Sequence, residues 1–409
     1  MRASTARHGV ATVGRLPQTM DQPLYGTPTP HTTPLGPLSP PLHRASSAAQ
    51  SDVETLRRLG AGLQSGDFYQ RMGHPNCRQF ESLAAAREGA DGAVAFASGM
   101  AAMSGAILAL VRAGDRVLVP HEVYGGTAAF VTQDLPRFGV KVERFHALDA
   151  NDLRRRLAEP AKLVVLETPI NPTLRLVDLA ACAAICRTNG ALSLVDGTFA
   201  PPPIQRPLAL GIDLVVHSAT KFYGGHSDVL AGVVCGRHEL MRLVEQFRRR
   251  TGGILAPDPA WLLCRSWPTL DLRIAAQQAA AAELAQRLKA LVREGMLADA
   301  IYPGLASHPD HELAQRQMHG GGTIVSFVVE GGLDRSRRVF DSFELIARGP
   351  SLGSVESLAS LPAYTTHAPL TAEERKQAGI PDGLLRISVG LEGADAIARD
   401  IEQAVRRTV

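Results

Sequence analysis

Between residues 80 and 216 of this 409-residue chain, short runs of apolar, β-favouring residues alternate with helical patterns. The runs are Ala93–Phe96, Val117–Val119, Val140–Glu143, Leu163–Leu166, Ala191–Val195 and Leu214–Val216. The helical patterns lie around Phe80–Arg87, Met100–Val111, Thr127–Leu135 and Asp178–Arg187. A strand that is apolar throughout must be covered on both faces, and parallel neighbours need long crossover connections. Apolar strands separated by helices therefore predict an α/β fold with a mostly parallel sheet between helical layers.

Val233–Cys235 extends the series as one more strand. A long alanine-rich helix is expected from about Ala275 to Val292, then strands at Thr323–Val329 and Leu385–Val389 and a C-terminal helix. From about Pro257 this pattern reads as a smaller α+β domain, which suits a chain too long for one small core. We expect a Pro-rich arm over 1–50, a large domain over 51–256 and a small C-terminal domain over 257–409. No internal repeat is evident. Eight of the 27 prolines fall between Pro17 and Pro41, where missing donors and fixed φ forbid helix or central strand. With Arg2, Arg7 and Arg15 ahead of it and no apolar core of a secretory signal, this segment reads as a disordered or partner-draped arm.

Composition narrows the function. A net charge of +3, from 43 Lys+Arg against 40 Asp+Glu, does not suggest a nucleic-acid binder, which would show a concentrated basic surface. No run approaches the ~18 apolar residues that would span a membrane. Five scattered cysteines do not form a disulfide framework, so a cytoplasmic location is expected. Cys182 and Cys186 share a helix face without a second ligand pair, which reads as core packing rather than a metal site.

In open α/β sheets, ligands bind at the carboxyl ends of the strands. Ser98-Gly99-Met100 follows one run and opens a helix, offering backbone N–H groups to an anion. Asp196 ends another, where it can serve as a helix cap, an ion-pair partner or the counter-ion of a cationic ring nitrogen. Lys221 follows a third, among hydroxyls and glycines. Burial lowers a lysine's pKa and frees the amine for Schiff-base chemistry, although a structural ion pair is an alternative. A phosphate-suited turn, an acid and a lysine at three strand ends together describe a pyridoxal-phosphate (PLP) site. Neither a dinucleotide nor a Walker-type glycine motif is present.

The chain resembles the Cys/Met-metabolism PLP enzymes, which include methionine γ-lyase, cystathionine γ-synthase, cystathionine γ-lyase and the O-acylhomoserine sulfhydrylases. The resemblance is carried by VVHSATKFYGGHSDVLAG from Val215, YQRMGHPN from Tyr69, FASGMAA from Phe96 and VYGGT from Val123. ETPINP from Glu167, VDGTFAPP from Val195, SLGSVESLASLPAYTTH from Ser351 and GLLRISVGLE from Gly383 complete it. It implies a fold-type I PLP-dependent enzyme, assembled as a homotetramer of dimers that share active sites. It also implies that Lys221 links to the cofactor and carries protons, while Asp196 pairs with its ring nitrogen. Gly99, Met100, Ser218 and Thr220 would hold the phosphate, and Tyr69 and Arg71 would reach the phosphate of a neighbouring subunit. Tyr124 would stack on the ring and pass a proton to the leaving group. Arg386 would clamp the substrate α-carboxylate, with Asn171 and Ser351 helping to place it and Lys221.

The expected reaction is elimination of a γ-substituent from a homoserine- or methionine-like amino acid through a β,γ-unsaturated intermediate, giving a 2-keto acid and ammonia. The alternatives are γ-replacement on an activated homoserine and a non-catalytic PLP-fold binding protein. Gly224 and Gly225 supply either room for Lys221 to move or only a tight turn. Several positions depart from the resemblance. Phe68 and Pro350 stand where cystathionine-handling members often carry acids, which disfavours a distal ammonium. Gly126 stands where methionine γ-lyases usually have a reactive cysteine. His74, Asn76 and Gly197 also differ from the usual residues, near the expected cofactor mouth; His74 reads as an acid, a donor or a satisfied structural histidine. Arg248-Arg249-Arg250 reads as a solvated helix end or as a contact for an anionic γ-substituent.

Overall fold

The structure, a computed structural model, describes residues 39–64, 66–368 and 370–408. Most of the Pro-rich arm, including Arg2, Arg7 and Arg15, lies outside the described residues. The first part of the chain builds strands β1 (Gly92–Phe96), β2 (Arg116–Pro120), β3 (Lys141–Phe145), β4 (Leu163–Glu167), β5 (Leu192–Asp196), β6 (Leu214–His217) and β7 (Gly232–Gly236). They form one sheet in the order β1-β7-β6-β5-β4-β2-β3. The pairs from β3 to β6 are parallel, and β7 alone runs against its neighbours β6 and β1. Helices α1 (Val53–Gly60), α2 (Pro75–Glu88), α3 (Gly99–Leu110), α4 (Gly125–Ala129), α5 (Ala150–Arg156), α6 (Leu179–Thr188) and α7 (His238–Thr251) intervene. Each expected strand is present within a residue or two, because runs apolar on both faces have no other stable place than between helical layers. In β4, β6 and β7 every residue is buried.

Helix starts follow local capping. Ser98 accepts from the Ala101 N–H at the start of α3, and Asp178 from the Ala181 N–H at the start of α6. The helix expected over Thr127–Leu135 is broken instead. α4 passes into a π turn at Phe130–Asp134 and a 3₁₀ turn at Leu135–Phe138, where Pro136 lacks the donor that regular α-helix needs. Cys182 and Cys186 are buried on α6, as core packing required.

Helix α8 (Pro257–Ser266) sends Leu263 and Cys264 into the same core as Phe80 of α2. Helix α9 (Leu270–Arg293) begins there with Leu270 and Ile274, then buries Ala281 to Leu291 in a second core. That second core lies against β8 (Leu297–Ile301), β9 (Ile324–Val329), β10 (Ala347–Arg348), β11 (Leu358–Ser360) and β12 (Leu384–Ser388), in the order β10-β11-β12-β9-β8. α10 (His311–Gln317), α11 (Gly332–Asp341), α12 (Ala372–Gln377) and α13 (Ala394–Arg407) complete the chain. Ser326 on β9 donates to the Pro172 carbonyl at 2.9 Å, tying the second sheet to the loop after β4. Among the described residues no helix is long and apolar enough to cross a membrane.

Candidate active site

The turn after β6 is built from the residues Ser218 to Gly225. The Lys221 N–H donates to the Ser218 carbonyl, Gly224 to Ala219 and Gly225 to Lys221, at 3.1, 2.8 and 2.7 Å. Gly225 has φ +72°, and the space a side chain would need is filled by the guanidinium of Arg273 from α9. Arg273 donates to the Phe222 carbonyl at 2.9 Å. These glycines therefore make a tight turn that lets α9 approach closely, and they provide no free volume for Lys221. The turn holds Lys221 in a cavity of about 730 Å³ at the carboxyl ends of the strands. Its Nζ donates to Ser351 Oγ at 2.8 Å. Burial, and then the nearby Arg386, push the amine below its ordinary pKa, so its neutral form is accessible.

Beside Lys221 lies an anion cradle. A Cβ on Gly99 would fall 2.8 Å from the Ser218 Cβ, so only glycine lets the first turn of α3 meet the turn after β6. The Gly99 and Met100 N–H groups, in that first helical turn, have no intrahelical acceptor. Ser218 Oγ lines the same cavity. Thr220 Oγ1 donates to the Ala231 carbonyl at 3.1 Å and accepts its N–H at 3.0 Å, which fixes the hydroxyl at the cradle's edge. The donor set suits a phosphate.

Two carboxylates end neighbouring strands. Asp196 on β5 accepts the Thr198 N–H at 2.9 Å, and it is in register with Glu167 on β4. Burial raises the pKa of Asp196, while Thr198 and His217 pull it back. Glu167 is pushed up to about 8, by burial and then by Asp196. Tyr124, half exposed at the rim, donates its backbone N–H to Glu167 Oε2 at 2.6 Å.

On the opposite wall, Arg386 of β12 is buried. It donates to Asn171 Oδ1 at 2.7 Å and to the Ser351 carbonyl at 3.0 Å, and its guanidinium lies 5.6 Å from the centre of the Phe199 ring. Its Nε has no partner among the described residues, and burial lowers its pKa to about 10. A buried cation that lines the cavity and is served only by neutral acceptors is set to receive an anion there.

The fold thus brings together Gly99, Met100, Tyr124, Asn171, Asp196, Ser218, Thr220, Lys221, Ser351 and Arg386 around one cavity. Tyr69 and Arg71 lie apart from it. Arg71 stacks on Tyr69 and donates to the Arg249 carbonyl at 2.5 Å. His74 and Asn76 do not line it either. His74 caps α2 by accepting the Cys77 N–H and donates to the Leu255 carbonyl at 2.8 Å, which makes it the satisfied structural histidine. Asn76 pins the incoming chain through His43 N–H and the Pro41 carbonyl. Arg248 is buried on Glu81, so of the three arginines at the end of α7 only Arg250 is exposed; a uniformly solvated cluster is not what folds. Gly126 is glycine for a local reason, since a Cβ there would strike the Tyr124 ring and Met100 Sδ. At Gly197 a Cβ would strike His217. Glu167, Phe199, Ser360, Thr365 and Thr366 also line the cavity and were not singled out from sequence. Glu167 carried the same signal as Asp196, a carboxylate closing a buried strand.

The model of the Cys/Met metabolism PLP-dependent enzymes matches residues 28–406. An L-methionine γ-lyase of Pseudomonas putida is 39% identical over 373 residues, 91% of this chain and 93% of that protein. An O-succinylhomoserine sulfhydrylase of Pseudomonas aeruginosa is 40% identical over 345 residues, 84% and 85% of the two chains. The crystal structure of cystathionine γ-synthase from Xanthomonas oryzae pv. oryzae in complex with cystathionine superposes with a TM-score of 0.84. It shares 36% identity, covering 90% of this chain and 93% of that one.

Proposed function

This chain belongs to the Cys/Met metabolism PLP-dependent enzymes, and from that premise we propose that it eliminates an uncharged γ-substituent from a homoserine- or methionine-like amino acid, releasing a 2-keto acid and ammonia. Pyridoxal 5'-phosphate is the cofactor of the family. Bound here, it supplies an electron sink joined to the substrate's α-amino group. Lys221 would hold its aldehyde carbon, Asp196 its ring nitrogen, and the first turn of α3 with Ser218 and Thr220 its phosphate. Arg386 binds and orients the substrate α-carboxylate, with Asn171 fixing the guanidinium plane. Lys221, its amine held below the ordinary lysine pKa by burial, takes the proton from Cα and then works at Cβ. Ser351 holds that amine between transfers. Tyr124 gives a proton to the departing γ-group.

The observation that carries the substrate class is the accounting of charge in the cavity. Its ionisable lining residues are Tyr124, Glu167, Asp196, Lys221 and Arg386, each already engaged with cofactor, carboxylate or the fold. The rest of the lining carries no charge: it includes the apolar Phe199, Leu230, Pro350 and Leu352 and the hydroxyls of Ser360, Thr365 and Thr366. A distal ammonium or carboxylate on the substrate would be desolvated there without a partner. Likeness to an L-methionine γ-lyase supports elimination, and likeness to an O-succinylhomoserine sulfhydrylase supports the second reading, γ-replacement.

We extend the same proposal to assembly. Tyr69 and Arg71 lie outside their own chain's cavity, so a neighbouring subunit of a homotetramer is the fitting recipient. A reducing cytoplasm suits five free, buried cysteines. The deciding experiment supplies methionine and O-acetylhomoserine to the PLP-loaded enzyme with no added nucleophile and follows 2-oxobutyrate and ammonia. Product under those conditions is expected. A γ-thioether amino acid formed only after a thiol is added, with no 2-oxobutyrate or ammonia without it, would replace elimination with γ-replacement.

A further inference from the structure

Glu167 touches the site at three points. It closes β4 beside Asp196, its register partner on β5. Its Oε2 accepts the N–H of Tyr124 at 2.6 Å, and its Oε1 the N–H of Asn171 at 3.5 Å. Tyr124 lies at the cavity rim, and Asn171 holds Arg386. One buried carboxyl therefore reaches both the ring-facing and the carboxylate-binding walls. Two carboxyls at adjacent strand ends in a buried site do not both ionise without cost, and their protons come off in coupled steps. Thr198 and His217 favour the charge on Asp196. The ionisable groups that line the cavity with Glu167 are Asp196 on β5, Tyr124 before α4, Lys221 after β6 and Arg386 on β12; of these Asp196 acts on Glu167, and His217 acts on Asp196 from the end of β6.

We propose that Glu167 is a positioning residue of this site: it braces Tyr124 and Asn171 through their backbone N–H groups and stands beside the carboxyl of Asp196 at the neighbouring strand end. The role depends on the cofactor-binding site and is independent of whether the enzyme eliminates or replaces. Removing Glu167 alters two separable things. Without the acceptor, the Tyr124 and Asn171 backbones loosen and Arg386 loses its fixed plane. Without the titratable group, the strand ends titrate as a single acid.

The test uses the PLP-loaded enzyme and the variants Glu167→Ala and Glu167→Gln. The first readout is the visible absorption of the lysine-bound cofactor across pH, recorded without substrate. The midpoint of its alkaline step is expected to shift between the wild type and Glu167→Gln, at unchanged melting temperature. The second is the split between KM and kcat: Glu167→Ala is expected to raise KM by about tenfold or more, with a smaller change in kcat. If Glu167→Ala fails to fold, Glu167→Gln alone decides through its absorption profile. A Gln variant whose absorption follows pH as the wild type does overturns the proposal, as does an Ala variant with wild-type KM. Failure of the elimination reading would show instead in product identity, which neither readout measures.

Discussion

Among the described residues the guanidiniums of Arg248, Arg273, Arg375 and Arg386 are buried, and the two most deeply buried, Arg248 and Arg386, have opposite surroundings. Arg248 on α7 is 1% exposed and meets Glu81 Oε1 at 2.5 Å and the Ala95 carbonyl at 2.7 Å. Burial alone would lower its pKa, but Glu81 and Cys77 outweigh that and raise it. Arg386 on β12 is 3% exposed and finds only the amide oxygen of Asn171 and one backbone carbonyl. Its pKa falls to about 10 because nothing answers the desolvation. The difference separates a charge the fold neutralises from a charge the fold reserves. A buried ion pair is complete in the folded chain; Arg273 also lacks a carboxylate but is closed off by backbone and hydroxyl acceptors, whereas Arg386 faces the cavity, where a ligand can complete it.

Substitutions at the cavity and at the pair should break this contrast apart. The largest effect is expected from Lys221→Ala, the other cation of the cavity. Turnover should fall by at least about a thousandfold, with the visible absorption of the bound cofactor lost, while the melting temperature of the cofactor-free protein stays near wild type. Retained turnover would remove Lys221 from the chemistry. Arg386→Leu comes next: kcat/KM should drop about a hundredfold, carried mostly by KM, with stability of the ligand-free protein unchanged or raised. Steady-state kinetics beside denaturant melts would check both halves. Arg248→Met should do the reverse, costing about 3–5 kcal/mol of stability by stranding Glu81, with KM of the folded fraction kept. Urea titration measures the loss, and a selective rise in KM would contradict the structural role. The smallest effect belongs to Arg250→Ala, an exposed neighbour of Arg248, whose stability and kinetics should stay within about 0.5 kcal/mol of wild type. A marked loss of activity on an anionic substrate there would restore the end of α7 as a substrate contact.

The strand series shows how far local pattern reaches. Ala93–Phe96, Leu163–Leu166 and Leu214–Val216 were legible because a run apolar on both faces has only one environment that suits it. Lys221, Asp196 and Gly99 were legible because ligands gather where such strands end. The Arg248–Arg250 run shows where pattern stops. Three adjacent arginines look alike in sequence, yet a helix turns each by about 100°, and only packing decides which one meets Glu81. His74 was equally ambiguous, since a capping histidine and a catalytic one have the same composition around them; its partner Leu255 is 181 residues away. Gly126 and Gly197 likewise read as departures, and became explicable only when Tyr124 and His217 were seen to occupy the adjoining space.

The sequence by itself determined the layered α/β fold and the chemical groups gathered at its strand ends, because hydrophobic periodicity and strand-end position are local properties. Which charges are paired, which carboxyl stands beside Asp196, and which arginine waits for an anion were decided by tertiary structure alone. Those properties depend on distances between residues far apart in the chain and on the water excluded between them, and neither is written in any local run of residues.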